Sequence, residues 1–148
     1  MKLLDRNGWT ASDLVPVPLD ALGEGAALAI GNDQDPGALL PLLDRLALIA
    51  IPFPKYSDGR GFSIARALRA QGYKGRLRAT GALIPDQFAF ALHVGFDEVE
   101  ISDEQAARQP IGQWLAALAL IHDSYQDGAD GVTSILKRRR QAAAVVAA

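Results

Sequence analysis

The run Asp58-Gly59-Arg60-Gly61-Phe62-Ser63 holds the residue types best suited to chemistry in this chain. Two glycines let a backbone approach a ligand closely or adopt φ > 0. A helix is expected to start there, and its free N–H groups favour an anion. Arg60 can grip a sulfate- or phosphate-like oxyanion through two donors, and Ser63 adds a hydroxyl. The plainer alternative is a tight strand-to-helix turn, with Asp58 as its cap and Arg60 in solvent. The run is neither GxGxxG nor a P-loop, so it carries no nucleotide fingerprint.

Other candidates lie nearby in sequence. Arg60, Arg66 and Arg78 form a candidate clamp for a small oxyanion, with Asp58 or Asp86 as acid or base. Asp86 and Gln87 open a second expected helix, where an acidic residue also suits the helix dipole. Against the clamp stands a structural use for the same charges. Arg76 and Arg78 share one strand face, as do Glu98 and Glu100, so cross-strand ion pairs would consume them. His93 and His122 have no spaced partner for a metal site, and none is assigned. No nucleophile–base–acid set stands out.

These residues are positioned by alternating elements. Apolar runs at about 27–31, 47–53, 76–82 and 98–102 read as strands, with Leu14–Pro18 a weaker candidate. Asp35 and Pro36 are expected as N-cap and first residue of one helix. A second starts near Phe62-Ser63 and stops at Gly72. A third runs from Pro85 to Gly95. After Ser102 the pattern turns helical, with Trp114, Leu115, Leu118 and Ile121 on one face. Strands separated by helices of this length predict βαβ units with right-handed crossovers. The expected fold is α/β: a short, mostly parallel sheet of four to five strands, like a fragment of a (β/α) barrel, plus a C-terminal helix. The loops leaving the strands are polar, and ligands of such sheets bind at that carboxyl edge.

Composition narrows the function classes. With 148 residues the chain has one domain's worth of sequence, expected over residues 1–126, followed by a mobile basic and Ala-rich tail at 127–148 that includes Lys137-Arg138-Arg139-Arg140. A net charge of −2 gives no reason to expect nucleic acid. The absence of cysteine excludes disulfides, thiol nucleophiles and thiolate-bound metals in this chain. No apolar run approaches the ~20 residues of a spanning helix. A cytoplasmic protein that does not engage membranes is expected, and open sheet edges favour a homo-oligomer.

The stretch Phe53 to Ile101 resembles a bacterial family catalogued as a domain of unknown function. The shared motifs are Phe53-Pro54, Asp58-Gly59-Arg60-Gly61-Phe62-Ser63 with Ala65-Arg66 and Leu68-Arg69, then Gly72-Tyr73, Leu77-Arg78-Ala79, Asp86-Gln87 and Gly95-Phe96-Asp97. They span about a third of the chain, and Ser124-Tyr125-Gln126 also resembles the family. The family often bears an oxidoreductase label, and its genes commonly neighbour assimilatory sulfite reductase. The resemblance implies an accessory protein of sulfite reduction that binds a partner, sulfite reductase itself. It implies no reaction and no cofactor. Two alternatives stand beside it: a small-molecule oxyanion-binding protein or enzyme with its site at the carboxyl edge, and a structural or oligomerisation domain.

Overall fold

The computed structural model describes residues 1–125. The expected tail at 127–148 and the side chains of Ile121 and His122 lie outside the described residues. Following the first strands β1 (Lys2–Asp5) and β2 (Gly8–Thr10), the four expected strands all form: β3 (Ala27–Ala29), β4 (Leu48–Phe53), β5 (Arg76–Gly81) and β6 (Glu98–Ile101). The helices are α1 (Arg60–Ala70), α2 (Pro85–Val94), α3 (Asp103–Arg108) and α4 (Ile111–Tyr125). The sheet order is β2-β1-β6-β5-β4-β3. β3 to β6 are mutually parallel, and β1 and β2 join as an antiparallel ribbon beside β6. Consecutive parallel strands are neighbours, as in a barrel segment, but the sheet is not closed into a barrel.

Strand alternation separates two chemistries. Ile49, Ile51 and Phe53 of β4 share a face with Leu77 and Ala79 of β5 and with Val99 and Ile101 of β6, all buried. Helix α1 packs on this face, with α2 beside it. There Phe62 of α1 meets Phe53 and Phe90 of α2, each with ring centroids 4.8 Å apart. Trp114 of α4 is fully buried edge-on to Phe88 of α2 and donates its indole N–H to the Gln109 carbonyl at 3.1 Å.

The opposite face carries Arg76, Arg78, Thr80, Glu98 and Glu100. An extended strap crosses it. The chain leaves β2 at one sheet edge, and Val17 then bridges to β3 at the other, through Val17 N to Ala27 O at 3.1 Å and Ala29 N to Val17 O at 2.8 Å. Midway, the Leu14 carbonyl accepts from Arg78 Nη1 at 3.5 Å.

Three features differ from the sequence expectation. The β1–β2 hairpin, which turns through Arg6-Asn7 into Gly8 at φ +126°, is absent from the expected elements. Within Leu14–Pro18 only Val17 is bridged, because its neighbours Pro16 and Pro18 lack the N–H a ladder needs. The helix after Asp35 is a 3-10 helix, Pro36–Arg45, rather than α. Asp35 caps it as expected, accepting from Gly37 N at 3.0 Å, but Pro41 cannot donate within it.

Candidate functional site

The β4–α1 loop ends at the carboxyl edge of the sheet, where the Asp58 carboxylate is fully engaged by donors. It accepts from Arg60 N at 3.1 Å, Arg60 Nε at 3.0 Å, Arg60 Nη2 at 2.8 Å and Asn32 Nδ2 at 2.7 Å. The Arg60 hydrogen bonds, side chain first, hold the Asp58 carboxyl far below the usual carboxylate range; Asn32 adds to this and partial desolvation opposes it. Arg60 is raised in turn by Asp58. The donors assigned from sequence to a bound oxyanion are therefore turned onto a carboxylate of the same loop. Asn32 ties the β3–β4 connection into the cluster.

Neither glycine takes a positive φ. Gly59 has φ −83°, an ordinary right-handed value, and α1 begins at Arg60 rather than near Phe62-Ser63. Gly61 is buried, and a Cβ there would lie 2.5 Å from the Phe53 ring. Its smallness serves helix-to-strand approach.

The remaining candidates do not converge. Ser63 and Arg66 are exposed on α1. Arg78 lies on the other face of the sheet, 2% exposed. It donates Nε to Glu98 at 2.8 Å and Nη1 to Glu100 at 3.4 Å, while its Nη2 is buried without a partner. Arg76 also pairs with Glu98, at 2.6 Å, and is raised chiefly by that bond. The cross-strand pairing thus forms, and the Arg60–Arg66–Arg78 clamp does not assemble. Arg69 is a structural tie: it donates to the carbonyls of Gly95, Tyr73 and Gly75 and to the Asp97 carboxylate at the amino edge.

Gln87 belongs to the carboxyl edge. Its amide oxygen accepts from Ile84 N at 3.3 Å, and its nitrogen donates to the Tyr56 carbonyl. This fixes the β4–α1 and β5–α2 loops to each other. Asp86, beside it, is exposed.

Next to these loops lies a cleft of about 610 Å³, with Tyr56, Ala82 and Ile84 on one side and Gln105, Arg108, Gln109 and Gln113 on the other. A second cleft of about 420 Å³ shares Ile84, Gln109 and Gln113 with the first and runs on past Asp86 to Ala116 and Ala117. Together they form one open groove between the β5–α2 loop and the α3–α4 junction. Gln105 donates to the Leu83 carbonyl and, at 3.0 Å, to Gln109 Oε1, so two of the groove's amides are held in place. The Ser102 hydroxyl starts α3 by accepting from Gln105 N at 3.1 Å. Apart from Asp86, the groove residues were not singled out from sequence. The available signal was Gln105, Gln109 and Gln113 recurring every fourth residue. Among the described residues, no three His, Asp or Glu side chains gather as a metal site.

A family model, Bacterial protein of unknown function (DUF934), matches residues 27–136, well over half of the chain. The chain belongs to this family. The match takes in the strands β3 to β6, the Asp58 loop and the groove. No curated protein and no solved structure matches. No helix among the described residues is long and apolar enough to cross a membrane.

Proposed function

We propose that this protein acts by binding, as a cytoplasmic accessory of assimilatory sulfite reduction whose partner is sulfite reductase. The pathway and partner come from the family resemblance. The binding mode is supported by one observation: the carboxyl edge offers an open, amide-lined groove, while the nearby charged loop is closed on itself by Asp58 and Arg60. Small-molecule sites are usually enclosed and bury most of their ligand, whereas a groove of this kind suits a macromolecular surface. Self-association is a further part of the proposal. The outer edge of β2, unpaired among the described residues, where Trp9 is 41% exposed beneath the Lys2 ammonium, is the surface it would use.

The test is co-purification of the full-length protein with sulfite reductase from the same organism, followed by titration of the complex. A saturable complex weakened several-fold by Tyr56→Ala, with the melting temperature unchanged, is expected. No association at micromolar concentrations rejects the proposal. A specific thermal shift with sulfite, sulfate or phosphate that Arg60→Ala abolishes would favour the oxyanion alternative instead.

A further inference from the structure

We infer that the groove between the β5–α2 loop and the α3–α4 junction seats an extended segment of a partner polypeptide, acidic at one end and basic at the other. The inference rests on the binding function proposed above and specifies its ligand. Three properties of the groove point to this occupant.

The first is shape. The two clefts share Ile84, Gln109 and Gln113, so they adjoin as one open groove rather than a closed cavity.

The second is the chemistry of the walls. A glutamine amide both donates and accepts, as a peptide group does, so amide side chains can satisfy an extended main chain without reading its sequence. The Gln105 amide nitrogen is committed to orienting the site, donating to Leu83 O and Gln109 Oε1. That leaves the Gln109 nitrogen and the exposed Gln113 amide facing the groove. Between them Ile84, Pro85, Ala116 and Ala117 offer small apolar contacts for alternate side chains.

The third is charge. Arg108 lines only the first cleft and Asp86 only the second. Arg108 meets Glu104 only at 3.8 Å and is 70% exposed there, so its guanidinium remains available. A cation at one end and a carboxylate at the other select a segment of opposite polarity and fix its direction. Rim charges of this kind contribute orientation and discrimination more than raw affinity.

The experiment uses the full-length protein, immobilised, to select from a displayed library of random 12-residue peptides. The expected result is enrichment of sequences with an acidic and a basic residue flanking small apolar ones. Their affinity should fall about tenfold or more in Arg108→Glu and recover when the peptide's acidic residue is changed to lysine. Gln113→Ala should weaken all selected peptides alike. Both positions are exposed, and an unchanged melting temperature confirms that the fold is intact. No enrichment, or enriched peptides that bind Arg108→Glu and Gln113→Ala as tightly as the native protein, overturns the inference. Because selection does not involve sulfite reductase, its outcome is separate from that of the co-purification test. A sulfite reductase complex indifferent to Arg108→Glu and Gln113→Ala leaves the accessory function standing and removes the groove from it.

Discussion

The Asp58 carboxylate takes both Arg60 Nε, at 3.0 Å, and Arg60 Nη2, at 2.8 Å, in a two-point pair that closes the β4–α1 loop on itself. Asp58 is mostly covered while Arg60 is 64% exposed, so the arginine acts as a clasp over the carboxylate. An arginine that looks free to hold an anion is already holding one.

Vacating that carboxylate exposes the donors. In Asp58→Ala the Arg60 N–H, the guanidinium and the Asn32 amide all lose their acceptor. We expect this variant to melt lower than the native protein and to be restabilised by millimolar sulfate or phosphate at constant ionic strength, while the native protein shows no such shift. Differential scanning fluorimetry decides it. The native clasp also has a pH signature. Because the folded state holds Asp58 below its ordinary value, its contribution is present above about pH 4 and is lost as pH falls further. Asp58→Asn should therefore flatten the acid limb of the stability curve.

The buried Arg78–Glu98 pair makes a different demand. Both side chains are almost wholly buried, and Glu98 also serves Arg76. Removing one partner strands a buried charge, so Glu98→Gln should lose about 3–5 kcal/mol in urea unfolding. The double variant Arg78→Met with Glu98→Leu should recover most of that loss, since a buried pair is often replaceable by apolar residues of similar volume. If the double variant is as damaged as the single one, the pair and its strap contact at Leu14 have an essential role in forming this face.

Gly59 and Gly61 should respond in opposite directions to alanine. At Gly61 the new Cβ meets the Phe53 ring at 2.5 Å, and overpacking of this kind costs about 1–3 kcal/mol. At Gly59 nothing lies within 4 Å and φ is −83°, so alanine should stabilise by about 0.4–1 kcal/mol through the unfolded chain. Chemical denaturation of the two variants side by side checks both signs.

Tyr73 predicts the alkaline limit. It is buried beside Arg69, and burial pushes its hydroxyl up to about 12. The unfolded chain ionises near 10, so stability from this group is complete below pH 10 and drains away as pH rises toward 12. Tyr73→Phe should remove that slope. It should also leave Arg76 O without the Tyr73 hydroxyl, which approaches it at 3.3 Å in the native fold. Urea titrations between pH 8 and 11 distinguish the two proteins.

Local order is where residue types alone were sufficient. Apolar runs located β3 and β4, and alternation located β5 and β6, because a strand with one face against the helices must be apolar at every second residue. Asp35, Gly72 and Gly95 marked helix ends correctly, since caps depend on adjacent backbone geometry: Asp35 accepts from a backbone N–H group, while Gly72 and Gly95 take positive φ. Alternation also put Arg76 and Arg78 on one strand face and Glu98 and Glu100 on another, and the register of the structure then brings Arg78 opposite Glu98.

The site was decided by tertiary placement. Sequence proximity drew Arg60, Arg66 and Arg78 together, yet a sheet separates Arg78 from the α1 helix, because β5 turns successive side chains to opposite faces. Asn32 reaches Asp58 across 26 positions, and Gln87 reaches Tyr56 across 31; neither bond leaves a local trace in composition or periodicity. The groove has the same origin. Tyr56, Ile84, Arg108 and Gln113 come from separate elements, and only the strand order and the packing of Trp114 on Phe88 set them around one space. Residue types determine what an element can be over a few turns of chain. Which distant donors meet is a property of the packed whole.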